Sequence, residues 1–187
     1  TALLFETEVL GFEPGDTTGQ LWGLAVDIGT TTVVGYLLDL TCGRVVAVDA
    51  ALNAQQIHGA DVITRIGHAL QEPGGLDRLR ELAVSTISGI VERLCQRQGL
   101  AGRAIDSLAV VGNTTMTQLL VDIEPRYLRR APYVPASSLY PPFSAATIGG
   151  ACPVTPGGRP SKRTSGSLAL AGRTLLMSSN IALRSPR

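Results

Sequence analysis

The sequence predicts an α/β domain in which an antiparallel three-strand meander is followed by helix, strand and helix. Three β-prone runs follow one another with connections too short for anything but hairpins. After them the apolar spacing changes from two to between three and four residues. The size agrees: 187 residues suffice for one good core, that is, one domain or one lobe of a larger one.

The elements follow in order. Residues 1–20 hold a short apolar, β-prone stretch (Leu3, Leu4, Phe5, Val9, Leu10) and then Glu13-Pro14-Gly15-Asp16, which is turn chemistry. They read as the tail of a preceding linker or middle domain. The strands are expected at Leu21–Ile28, Val33–Leu40 and Arg44–Ala51, divided by Gly29-Thr30-Thr31-Thr32 and Thr41-Cys42-Gly43. Asn53 to Ala60 reads as a loop. Asp61 stands where a helix N-cap would, ahead of Val62, Ile63, Ile66 and Leu70.

Glu72-Pro73-Gly74-Gly75 breaks the chain before the longest periodic segment, Leu76, Leu79, Ala83, Ile87, Ile90, Val91 and Leu94, which Gly99 is placed to end. Leu108–Val111 is a short buried strand, Gly112-Asn113-Thr114-Thr115 a polar break, and a helix is entered at Met116 with Leu119 and Leu120 on its packing face. Beyond Pro125 the chain is rich in proline, and beyond Pro153 it loses periodicity, with room for one short strand within Leu168–Met177.

Charge is divided unevenly. Residues 1–124 carry seven basic and all fifteen acidic side chains, net −8, whereas residues 125–187 carry nine basic ones, net +9. The stretch 153–187 is therefore expected to be an irregular basic tail, non-native or disordered, as a frameshift or a misjudged gene end would produce. A nucleic-acid arm is disfavoured because no aromatics interleave the basic residues. Cys42, Cys95 and Cys152 are too few and too scattered for a disulfide framework or a four-thiolate site, which fits a reduced, cytoplasmic setting. No run is long and apolar enough for a bilayer, and the N-terminus lacks signal-peptide order. His58 and His68, ten apart, read as ordinary surface or core histidines rather than a metal pair.

Chemistry is concentrated in Ala25-Val26-Asp27-Ile28-Gly29-Thr30-Thr31-Thr32-Val33, where an acid closes a buried strand and opens a Gly/Thr hairpin. A phosphate chain needs main-chain N–H donors at close range. Gly29 permits the approach, and Thr30, Thr31 and Thr32 add hydroxyls. Asp27 cannot bind phosphate directly, both being anionic, so its task would be to hold Mg2+, through water. A plain hairpin with an exposed acid is the competing interpretation. Neither a lysine-bearing phosphate loop nor a Gly-x-Gly-x-x-Gly after a strand is present. Val110-Val111-Gly112-Asn113-Thr114-Thr115-Met116 repeats the strand, polar loop, helix order: Asn113 and Thr114 would face the same cleft or simply cap a helix.

The element order resembles the ribonuclease-H-like half that the actin and sugar-kinase (ASKHA) superfamily uses twice. A narrower resemblance rests on four ordered motifs: Gly23–Val33; Leu52-Asn53-Ala54-Gln55 with Gly59-Ala60-Asp61-Val62-Ile63-Thr64-Arg65-Ile66; Gly112–Met116; and Arg130-Ala131-Pro132-Tyr133-Val134-Pro135. Over roughly residues 8 to 150 these resemble the reductive activators of corrinoid-dependent proteins. The resemblance implies an ATP-dependent, ATPase-type activator that returns a Co(II) corrinoid protein of a methyltransferase system to Co(I), with residues 21–152 as the first lobe of its nucleotide domain.

By the same resemblance Asp27 would hold Mg2+, Gly29, Thr30, Thr31 and Thr32 would bind the phosphates of ATP, and Asn113 and Thr114 would line the opposite wall. Asn53, Gln55 and Asp61 would belong to the cleft, to partner docking, or to ordinary loop and cap structure. A 2Fe–2S cluster is expected in a domain outside this chain, as are the second phosphate loop and the adenosine site of a second lobe. The fragment is then expected to be inactive alone, and a homodimer of the intact protein is allowed. Two rival classes share the phosphate loop: a small-molecule kinase of the acetate and sugar kinase superfamily, and an actin-like or chaperone-like module switched by nucleotide.

Overall fold

The computed structural model describes residues 1–5, 8–12, 14–100, 105–137, 140 and 174–178. Two short strands, β1 (Ala2–Phe5) and β2 (Glu8–Phe12), pair antiparallel in a sheet of their own. The main sheet begins with β3 (Trp22–Ile28), β4 (Thr32–Asp39) and β5 (Arg44–Leu52), an antiparallel meander as the three β-prone runs predict. On the other edge of β3 runs β6 (Ser107–Gly112), parallel, with Val26 opposite Val110 and Ile28 opposite Gly112. β7 (Thr174–Ser178) adds in parallel to the outer side of β6. The sheet is therefore mixed, in the order β5-β4-β3-β6-β7.

Among the described residues three α-helices accompany the sheet: α1 (Val62–Gln71), α2 (Gly75–Arg97) and the short α3 (Thr114–Leu120). Leu24, Val26 and Ile28 of β3 and Leu37 of β4 alternate inward and meet Leu79, Ile90 and Leu94 of α2 in the core. The approach of α2 to the sheet is close because β4 carries Gly35 there. A Cβ at that position would lie 2.6 Å from Ile90 Cγ2, inside any real contact. Gly99 ends α2 as expected, at φ 69°, with the Leu100 N–H returning to the Cys95 carbonyl at 2.8 Å. Outside the core, Asp49 of β5 is clasped by Arg93 and Arg97 of α2.

Two expectations need amending. The segment expected as a loop before α1 contains a 3-10 turn, Ala54–His58. On α1, Ile63 and Leu70 are exposed, whereas Arg65, Ile66 and Gly67 are buried, so the inward stripe is rotated from the one the apolar residues suggest. Of the tail 153–187, the structure describes Thr174–Ser178, whose strand overlaps the run singled out at Leu168–Met177; the rest lies outside the described residues.

Candidate functional site: a loop with its carbonyls turned inward

The hairpin between β3 and β4 is tight. Gly29 donates its N–H to the Thr32 carbonyl at 2.9 Å, and a Cβ on Gly29 would sit 2.5 Å from that same oxygen. Glycine is required by this close approach, and its own amide is spent within the turn. Asp27, one residue before the end of β3, is exposed, opposite Val34 on β4 and Val111 on β6.

The three carbonyls of the loop are all taken from the body of the protein. Asn53 Nδ2 donates to Gly29 O at 2.9 Å, Arg65 Nη2 to Thr30 O at 2.5 Å, and both Asn53 N and Gln56 Nε2 to Thr31 O, at 2.8 and 2.6 Å. In a planar trans peptide the N–H of the next residue points opposite to the carbonyl. Drawing Gly29 O and Thr30 O inward therefore turns the amides of Thr30 and Thr31 outward. Neither amide donates to an acceptor among the described residues. Two adjacent outward N–H groups with hydroxyls beside them are the donor arrangement that an anion fits.

Beneath the loop lies a polar layer with almost no contact with solvent. Asn53 and Gln55 are 1% and 0% exposed, and Arg65 is 0% exposed. Asn53 Oδ1 accepts from Gln55 N at 3.0 Å, and Gln55 Nε2 anchors the layer to α2 through Leu79 O at 2.9 Å. Arg65 reaches Gly59 O through Nε and Gln55 Oε1 through Nη1, with the Met116 sulfur also beside Nη1. Burial pulls the Arg65 guanidinium below its ordinary range, while Asp61 acts weakly in the other direction. Among the described residues no carboxylate is ion-paired with it.

The second predicted loop comes to the same place. Asn113 caps α3, its Oδ1 accepting from Met116 N at 3.0 Å, and its Nδ2 donates to Thr30 Oγ1 at 3.2 Å. The structure thus brings Asp27, Gly29, Thr30, Thr31 and Asn113 together. Thr32 heads β4 with its carbonyl turned into Gly29, and Thr114 opens α3, half-buried, with no bond to the hairpin among the described residues.

Several open questions of residue role are settled by geometry. Asp61 is the N-cap of α1, its Oδ1 bonded to Thr64 N at 2.8 Å. Asn53 and Gln55 belong to the layer under the loop. His58 and His68, expected as ordinary surface or core histidines rather than a metal pair, stack with ring centroids 4.0 Å apart and planes 16° from parallel. Burial, then the neighbouring His68 and Arg78, lower the His58 pKa, and its Nε2 is buried without a partner. The sequence reading assigned no role to Arg65 or Gln56. Arg65 did carry a signal: it lies at helical spacing from Val62 and Ala69, on the apolar stripe, where a charge requires internal partners.

As for bound groups, no cluster of three metal-ligating side chains occurs among the described residues. Asp27 alone does fit Mg2+, which keeps several waters and commonly takes one or two carboxylates plus substrate phosphates. An iron–sulfur cluster does not fit this chain: three cysteines fall short of four ligands, and Cys42 is exposed while Cys95 is buried. No helix among the described residues is long and apolar enough to cross a membrane.

Comparison with known proteins agrees with the four-motif resemblance. The family model described as the RACo middle region matches residues 22–155. The corrinoid activation enzyme RamQ of Eubacterium limosum is 36% identical over 127 residues, which is 67% of this chain and 21% of that protein. A solved structure described as a reductive activator for corrinoid, iron–sulfur protein superposes with a TM-score of 0.75 at 33% identity, over 92% of this chain and 26% of the other. The chain thus spans about a fifth to a quarter of the length of these relatives.

Proposed function

Because the chain belongs to the family of reductive corrinoid activators, we propose that it is the part of such an activator that grips the phosphate chain of ATP. The whole protein would then couple ATP to the one-electron return of a Co(II) corrinoid protein to Co(I). The observation that carries the reading is the β3–β4 loop, whose amides at Thr30 and Thr31 face outward because Asn53 and Arg65 hold the Gly29 and Thr30 carbonyls inward. The strand order β5-β4-β3-β6-β7 also supports a ribonuclease-H-like half of the actin and sugar-kinase superfamily.

In this reading Thr30 and Thr31 donate main-chain N–H groups to phosphate oxygens, and Gly29 gives the loop its shape. Asn113 fixes the Thr30 hydroxyl from the α3 side. Mg2+ held by Asp27 through water would screen the charge of the phosphates. The electron would come from a 2Fe–2S cluster outside this chain, and nucleotide binding would alter docking or cobalt ligation by favouring one conformation of the activator. The corrinoid partner and ATP belong together here, since the uphill electron transfer needs an energy source.

The test is Asp27→Ala in the whole protein. Magnesium-dependent ATP turnover, stimulated by an oxidised corrinoid protein, is expected to vanish while circular dichroism is unchanged, because an exposed strand-end acid contributes little packing. Turnover near the wild-type rate at saturating magnesium would rule out this assignment.

A further inference from the structure

Arg65 is a cation removed from solvent and, among the described residues, ion-paired with no acid. A lone buried charge is costly, and chains usually supply a carboxylate beside it. Here the nearest acid in sequence, Asp61, spends its Oδ1 on Thr64 N and Thr64 Oγ1. The neighbours that the guanidinium does have are neutral: Gly59 O at 2.9 Å, Gln55 Oε1 at 3.1 Å, Thr30 O at 2.5 Å and the Met116 sulfur at 3.2 Å. Four directed contacts lock its orientation, and one of them ends on the loop itself.

We propose that Arg65 is the positioning residue of the phosphate loop and supplies its positive charge, with a bound polyphosphate as the missing counter-ion. The inference rests on the nucleotide reading above. By holding Thr30 O inward, Nη2 fixes the direction of the Thr31 amide. The charge lies directly behind the Thr30–Thr31 peptide, and the buried Asn53, Gln55 and Met116 side chains keep water from screening its action on an anion in front. Lysine would keep the charge but lose the fork that reaches Gly59, Gln55 and Thr30 at once. Glutamine would lose the charge.

The experiment measures binding of ATP and of inorganic tripolyphosphate to the whole protein by calorimetry, at low and high ionic strength, for wild type, Arg65→Lys and Arg65→Gln. The charge-free variant is expected to bind both probes roughly ten- to a hundredfold more weakly, with a flatter dependence on salt. Arg65→Lys should lose less affinity and keep the wild-type salt dependence.

If Arg65 only shaped the loop, Arg65→Gln would weaken binding with the salt dependence unchanged, and that result overturns the proposal, as does affinity within about threefold of wild type. Should Arg65→Gln fail to fold, Arg65→Lys decides: wild-type affinity together with unchanged hydrogen exchange at the Thr31 amide overturns it. If the wild-type protein binds neither probe, the nucleotide reading itself falls and this inference with it. Binding that is present but indifferent to Arg65 removes this inference alone.

Discussion

Replacing Asn53 with alanine removes the side chain that joins the loop to the turn before α1. Asn53 is 1% exposed, and its amide donates to Gly29 O at 2.9 Å and accepts from Gln55 N at 3.0 Å. Each such bond contributes about 1 kcal/mol net, and the stranded Gly29 carbonyl and Gln55 amide add a further ~1 kcal/mol or more where water cannot reach them. The sum is about 3 kcal/mol. Asn113→Ala provides the scale: it deletes the cap of α3, but from an exposed residue, and should cost about 1 kcal/mol. Urea unfolding of both variants, followed by circular dichroism and extrapolated to water, measures the difference. An Asn53→Ala loss no larger than that of Asn113→Ala would refute the idea that a dry polar layer supports the loop.

Two further outcomes concern pH. Hydrogen bonds and charge from Arg97 and Arg93 outweigh the burial that would raise the Asp49 pKa, so it is lowered in the folded state. Its stabilisation is present above the unfolded value of about 3.9 and lost as pH falls through the lower folded one. Asp49→Asn should cost about 1 kcal/mol or less at neutral pH, both arginines being half exposed, and the two proteins should converge in acid. His58, with its pKa lowered, disfavours protonation when folded, so stability should begin to fall as pH drops through about 6.5. His58→Phe keeps the ring stack and should remove that fall between neutral pH and the carboxylate range. A melting temperature with the same pH profile in both proteins would show that the His58–His68 stack is not responsible.

Periodicity made the three strands, the long helix and the strand–loop–helix order legible, because each is a local pattern written within about ten to twenty residues. Asp27, Gly29 and the threonines were legible as a group for the same reason. The layer below them was not. Asn53 meets Gly29 across 24 residues, Arg65 meets Thr30 across 35, and Asn113 meets Thr30 across 83. Nothing local announces such partners. Arg65 interrupts the apolar stripe of α1, and the face of this helix is set by where that charge finds internal partners, not by Ile63 and Leu70, which are exposed. The stacked histidines were missed because ten residues spanning a turn and a helix can end anywhere until that turn is known.

The pairing of β3 with partners on both edges sets an order on how the fold must be assembled. Its meander partner β4 follows after a three-residue loop, but β6 begins 79 residues after the last residue of β3, beyond both long helices. During synthesis one edge of β3 therefore waits unzipped while α1 and α2 emerge, and that edge is covered only once the chain from Asp106, which accepts from Trp22 N at 2.7 Å, has arrived. Non-local closure of this kind is the slow part of folding, and an open apolar strand edge is the surface at which nascent chains associate wrongly. Chaperone demand during synthesis should accordingly be highest after α2 has left the ribosome and drop as soon as residues 107–112 follow it.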